Sequence, residues 1–298
     1  MARGLHGLVI AVLGGDYREI ELIREFLSQG AKVKVIGYPP MPELAGVEMV
    51  PTIWDAIRGS DVIVVGMGGL DVGGKVRTLD SGVNLQITEE VLSIIPPDVP
   101  FFIGIARPRL KEFARKHDVK LVEVTEQDDV AILNSIPTAE GAIQIAMEEL
   151  PITIHGSNAI VIGLGRVGMT MAHTLIALGA RTTVAARNPA QLARAEEMGA
   201  RPVPLSDLKD VVGQADAIFN TVPAVVLTEN VLRMMRPDAL IIDLASHPGG
   251  TDFEAAAKLQ IKAILALGLP GKVAPRTSGQ ILVRCIPEMI HKALGHWG

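Results

Sequence analysis

One short pattern opens each half of this chain, and it leaves few folds open. Leu8-Val9-Ile10-Ala11-Val12-Leu13 is an apolar run that breaks at Gly14-Gly15. A helical pattern follows to Gly30, and then a second apolar run, Lys32-Val33-Lys34-Val35-Ile36-Gly37. Far downstream, Ala159-Ile160-Val161-Ile162 leads into a glycine turn, a helical stretch to Leu178-Gly179, and Arg181-Thr182-Thr183-Val184-Ala185. Each segment reads as strand–turn–helix–strand, the βαβ unit of a parallel sheet. The Gly-Ala pairs at 30–31 and 179–180 are helix stops.

Further strand candidates continue the alternation. In the first half they are Asp61 to Gly66, Phe101 to Gly104 and Lys120 to Val124; in the second, Asp216 to Asn220, Ala239 to Leu244 and Ala263 to Leu267. Strands alternating with helices predict an α/β protein with two Rossmann-like, doubly wound parallel-sheet domains. A length of 298 residues also exceeds one ordinary core. The expected division is a substrate-side domain over 1–137, a connecting helix over 138–150, a dinucleotide domain over 151–278 and a C-terminal helix over 279–298 that returns to the first domain. Asn134-Ser135-Ile136-Pro137-Thr138 would open the connecting helix, with Ser135 or Thr138 as its cap.

Composition agrees and excludes several partners. The chain is 48% apolar and only 3% aromatic, which suits strands buried on both faces. A formal charge of -5 supplies no basic stripe for nucleic acid. The single cysteine, Cys285, cannot form an internal disulfide; it reads as a small buried side chain in a protein of a reducing compartment. The run from Leu8 to Leu13 is too short to span a membrane and meets no cleavage-site pattern, so a cytoplasmic protein is expected.

The turn Gly163-Leu164-Gly165-Arg166-Val167-Gly168 sits where a dinucleotide needs it, directly after a buried strand and opening a helix. The first glycine permits the tight turn, the second lets the backbone approach a pyrophosphate, and the third permits close helix packing. NAD-binding turns carry an acid at the end of the next strand; here the chain reads Ala185-Ala186-Arg187-Asn188, with a guanidinium suited to a 2′-phosphate. NADP is therefore the expected cofactor. Asn220-Thr221-Val222-Pro223 should border the nicotinamide ribose, although Asn and Pro are also ordinary turn residues.

At this point the chain resembles known families. Its plan is similar to that of D-2-hydroxyacid and alanine dehydrogenases. Several stretches resemble, more narrowly, the family of the dipicolinate synthase A subunit from spore-forming bacteria: Val12 to Glu19, Gly73 to Arg77, Asp128 to Gly141, Asp243 to Asp252 and Leu269 to Gly279. The resemblance implies NADP-dependent oxidation of a dihydropyridine dicarboxylate, or of its hydrated 4-hydroxytetrahydro precursor, to pyridine-2,6-dicarboxylate in sporulation. It also implies a flavoprotein-like second subunit. A homo-oligomer is expected too.

The residues bear on that chemistry. Hydroxyacid dehydrogenases place a histidine after a proline late in the chain, but the corresponding turn here is Ala274-Pro275-Arg276-Thr277-Ser278. Arginine cannot shuttle a proton at neutral pH. Arg276, with Thr277 and Ser278, would instead hold a substrate carboxylate. Asp16 with Arg18, and Lys75 with Arg77, could supply a second clamp; they could equally be a structural turn and a solvated loop. His247, just past a strand end, has the right titration range for a general base, or is merely polar surface. The other histidines show no metal-ligand spacing, and no metal is expected. Two further readings stay open: another NAD(P)-dependent amino-acid or hydroxyacid dehydrogenase, and a non-catalytic NADP-binding scaffold for the partner.

Overall fold

A computed structural model describes residues 4–295. In chain order the strands are β1 Val9–Leu13, β2 Lys32–Ile36, β3 Glu48–Met49, β4 Val62–Val65, β5 Pro100–Ile103, β6 Lys120–Glu123, β7 Asn158–Ile162, β8 Arg181–Ala186, β9 Arg201–Pro204, β10 Ala217–Asn220, β11 Leu240–Asp243 and β12 Lys262–Leu265. The helices are α1 Tyr17–Ser28, α2 Ile53–Ile57, α3 Glu89–Ser93, α4 Pro108–Lys116, α5 Asp128–Glu149, α6 Arg166–Ala177, α7 Pro189–Glu197, α8 Glu229–Leu232, α9 Phe253–Lys258, α10 Leu269–Val273 and α11 Pro275–Ala293.

The chain forms two compact units. The first comprises the residues up to Ala131 and those from Ala274 onward; the second runs from Ile132 to Val273. The first holds a sheet of order β3-β2-β1-β4-β5-β6 and the second one of order β12-β11-β10-β7-β8-β9, every pairing parallel. In both, winding reverses beside the first strand, between β1 and β4 and between β7 and β10. Ligands of open α/β sheets bind at the carboxyl ends of the strands flanking such a reversal. The central strands β4, β5, β10 and β11 are buried throughout, as parallel strands with helices on both faces must be.

The edge strands β3 and β9 had no counterpart in the sequence reading. Both residues of β3 are exposed, and β9 reads Arg-Pro-Val-Pro, so neither shows an apolar run. Proline is tolerated there because an edge strand needs only one side of its ladder.

The two chain crossings also fall earlier than the sequence suggested. Helix α5 begins at Asp128, not Thr138, and Pro137 lies inside it. Proline inside a helix leaves the carbonyl four residues back without a donor. The helix persists because Asp128 and Asp129 favour its positive end and Ala139, Ala142 and Ala146 are fully buried. Ser135 and Thr138 are therefore interior residues and cap nothing. Helix α11 likewise starts at Pro275, a favourable first helical position, rather than at Gly279. Arg276, Thr277 and Ser278 thus lie in its first turn, inside the first unit and outside the dinucleotide domain to which 151–278 assigned them. Gly279 seats this helix on α1: an added Cβ would stand 2.8 Å from Glu21 Cβ and 2.9 Å from the Arg18 carbonyl oxygen.

Among the described residues no helix is long and apolar enough to cross a membrane. Cys285 of α11 is 3% exposed. Burial, with Asp129 accepting from the thiol and adding its negative charge, pushes Cys285 up to about 11. The thiolate is the reactive form. At pH 8 the native chain should therefore resist iodoacetamide for hours and be alkylated fully once unfolded, as read by intact mass. Rapid labelling of the native chain would place this thiol at the surface.

Candidate functional site

Each unit begins a helix directly at the end of its first strand, and the two turns share a frame. Gly14 N–H donates to the Ile36 carbonyl at 2.9 Å, and Gly163 N–H donates to that of Ala185 at 2.8 Å. Asp16 and Gly165 are the respective N-caps. Helix starts leave N–H groups that need an acceptor. What meets them differs completely between the units.

In the first unit the chain supplies its own acceptors. Asp16 accepts from Arg18 N at 3.1 Å, and its two oxygens take the Arg18 fork at 2.9 and 3.0 Å. Glu19, third in the helix and 0% exposed, accepts from Asp16 N at 2.6 Å and, across the turn after β4, from Met67 N at 2.8 Å. This capping box fills the space over Gly15, whose added Cβ would collide with a Glu19 carboxylate oxygen. Burial raises the Asp16 carboxyl, but the Arg18 hydrogen bonds and charge outweigh it and hold the group below its ordinary range. Burial keeps Glu19 above its ordinary range, against the opposing Arg18 charge.

The second unit leaves the same place open. Gly165 has no side-chain cap on its helix, α6 has no acid in its first turn, and a Cβ at Gly165 would meet nothing within 4 Å. Gly163 sits at φ +87°, the left-handed region that favours glycine. Gly168, the third residue of α6, packs so closely that an added Cβ would collide with the Gly163 carbonyl oxygen. It occupies the helical position that Glu19 holds in α1. The uncapped helix start fits a phosphate, and the open space at Gly165 fits its approach.

The other expected cofactor residues divide. Leu164 is buried in the core, so only its backbone can face a ligand; Arg166 opens α6 exposed, and Val167 is half-buried. Arg187 is exposed at the end of β8, beside an open cleft of about 470 Å³ lined also by Ala186, Pro204, Leu205, Ser206 and Val226. Asn188 caps α7, its Oδ1 accepting from Ala190 N at 2.9 Å. Asn220 is fully buried and both ends of its amide are engaged: Oδ1 accepts from Val222 N, and Nδ2 donates to the Val222 carbonyl and to Asp243. Thr221 Oγ1 donates back to the Ile162 carbonyl at 2.8 Å. These residues shape the turn, leaving Val222 half-buried and Pro223 exposed on its rim. Asp243 is equally occupied, accepting from Asn220, Ala245 N, Gly250 N and Thr251 Oγ1. That network was not legible from the sequence, although an acid ending a buried strand is the signal for it.

His247 lies exposed in the following loop, with no hydrogen bond or ion pair to another described residue. In the first unit, Arg77 is exposed with one guanidinium nitrogen 3.8 Å from Asp16, and its carbonyl accepts from Gly15 N at 2.7 Å. Lys75 is exposed on the other side of the buried Val76. Arg276 and Thr277 are exposed, but Ser278 is 1% exposed and faces the interior. The structure therefore gathers Asp16, Arg18 and Arg77, and it holds the Arg18 fork on Asp16.

Asp16→Asn should destabilise the chain by about 3 kcal/mol near pH 7, because it leaves a largely buried Arg18 charge without its partner. Asp16 contributes stability that is present above its unfolded pKa and lost as pH falls through its lower native value. Glu19, common to both proteins, carries the opposite dependence. The gap between wild type and variant in urea melts should thus narrow below about pH 4. A gap unchanged by acid would show that the Asp16 charge is not what holds Arg18.

Residues 9–125 match the family described as the N-terminal domain of the dipicolinate synthase A subunit, and residues 134–294 match the alanine dehydrogenase/PNT C-terminal domain. The chain is 41% identical over 292 residues to the dipicolinate synthase A subunit of Bacillus subtilis (strain 168), covering 96% of this chain and 97% of that one. The crystal structure of the dipicolinate synthase A subunit from Bacillus halodurans superposes with a TM-score of 0.90 at 40% identity, over 96% of this chain and 99% of that one. D-lactate dehydrogenase from Escherichia coli shares the fold alone, with a TM-score of 0.66 at 15% identity over 97% and 98% of the two chains. With near-complete coverage at this identity and the same two Rossmann-like sheets, the chain belongs to the family of the dipicolinate synthase A subunit.

Proposed function

We propose that the chain binds NADP on the turn from Gly163 to Gly168 and oxidises a partly saturated pyridine-2,6-dicarboxylate. One observation carries this reading: the helix start of the second unit is open and uncapped, with an arginine and no acid at the end of the next strand. Bound there, NADP supplies a hydride acceptor. Arg187 would pair with its 2′-phosphate through a planar fork of donors.

Oxidation of the dihydropyridine dicarboxylate to the aromatic dicarboxylate would remove a hydride, for which the bound cofactor would be the acceptor, and one ring proton, which a base of the chain would take. His247 is the residue assigned to accept that proton, since it is exposed and unpartnered among the described residues. Substrate carboxylates are assigned to the exposed cations of the first unit, Arg77, Lys75 and Arg276, while Asp16 holds the Arg18 fork beside them. The Bacillus subtilis relative is by its name one subunit of a synthase, which supports a second subunit in the working assembly, and a flavoprotein-like partner is part of the proposal.

Turnover of the dihydropyridine dicarboxylate, read as nicotinamide absorbance with NADP and with NAD, tests the assignment. Wild type should favour NADP, and Arg187→Asp should reverse or abolish that preference by removing the phosphate contact and introducing an acid for the ribose hydroxyl. A preference untouched by the substitution would remove Arg187 from the site. Absence of turnover with either cofactor, in the presence of the partner subunit, would overturn the oxidoreductase reading.

A further inference from the structure

In the second unit one amide stands out. Asn134, near the start of this unit's part of α5, has a buried side-chain oxygen that accepts no hydrogen bond. Buried polar atoms are almost always paired, because water has been removed from them without replacement. Its neighbours are firmly fixed. Ser135 is fully buried, donates to the Ile132 carbonyl at 2.6 Å and sits 2.5 Å from Thr170 Oγ1. Thr138 Oγ1 donates to the Asn134 backbone carbonyl at 2.7 Å. These bonds fix the helix backbone on both sides of the Asn134 side chain.

Its location says what it faces. Thr170 is in the second turn of α6, so Asn134 stands near the same end of the sheet as the open turn. Along the helix, Gly141 packs against α10, where an added Cβ would lie 3.1 Å from Val273 and 3.2 Å from Leu269. Helix α10 follows β12 and α6 joins β7 to β8, so α5, which meets both, lies between them over the middle of the sheet. A dinucleotide straddling the reversal between β7 and β10 puts its adenosine half toward β8 and its other half toward β10.

We propose that Asn134 is a cofactor-binding residue that accepts a hydrogen bond from the nicotinamide–ribose half of the dinucleotide, whose ribose hydroxyls and carboxamide N–H groups are the available donors. The inference rests on the nucleotide-site reading above. It gives the ligand an acceptor that no described protein group occupies.

Two ligands separate this role from a structural one: NADPH, and adenosine 2′,5′-bisphosphate, which lacks the nicotinamide half. Calorimetry on wild type and Asn134→Leu should give an NADPH affinity weakened about fivefold, the loss of one hydrogen bond, and an unchanged affinity for the bisphosphate. The melting temperature of the ligand-free variant should be no lower than that of wild type, since an unpaired polar atom is replaced by an apolar group of similar size. Asn134→Ala should repeat the pattern. Unchanged NADPH affinity, equal loss for both ligands, or a destabilised ligand-free protein would each overturn the inference. If wild type binds neither ligand, the nucleotide site itself falls, and this role falls with it.

Discussion

A helix that starts at the very end of a buried strand presents N–H groups pointing at one spot, and that spot demands negative charge. The chain makes this arrangement twice. In the first unit Asp16 and Glu19 answer the demand from within, and Arg18 balances them. In the second, Gly165 and Gly168 stand where those carboxylates would be. Two positions, the N-cap (Asp16 against Gly165) and the third helical residue (Glu19 against Gly168), therefore separate a turn that is closed on itself from a turn that can take a phosphate. The same fold closes this turn in one unit and leaves it open in the other.

The surroundings follow from that division. The closed turn ties α1 to the segment after β4 through Met67, and α11 packs against α1 at Gly279. The open turn is framed by a buried network of Asn220, Asp243 and Thr251, which leaves no polar atom of those side chains needing a partner. Groups without such engagement are informative by contrast. Arg187 and His247 are exposed, and the buried Asn134 oxygen has no donor. The engaged residues build the shape, and the ligand roles proposed above fall on the unengaged ones.

Much of the fold was readable because its signals are local. A Val/Ile run buried on both faces, followed by glycine and a helical pattern, specifies a βαβ unit without help from distant residues. Boundaries were harder, for a physical reason: Pro137 and Gly279 resemble helix starts, yet Pro137 is tolerated inside α5 by the burial of the alanines after it, and α11 begins at Pro275. The open turn after β7 was legible from its glycines. The roles of Arg18 and Asn220 were not, because an arginine or asparagine at a strand end looks the same whether it faces a ligand or a neighbouring side chain. Asp16 at 2.9 Å, and Val222 with Asp243, decide those two cases.

The difference between the two turns is the centre of this account, and Gly165→Val tests it most directly. The backbone there is extended with negative φ, and an added Cβ would meet nothing within 4 Å, so a small branched side chain should be accepted by the fold while filling the space a phosphate needs. Calorimetric titration with NADPH should find one site per chain in wild type and none in Gly165→Val, at equal melting temperature. Two sites in wild type, or a site that survives the valine, would contradict the account.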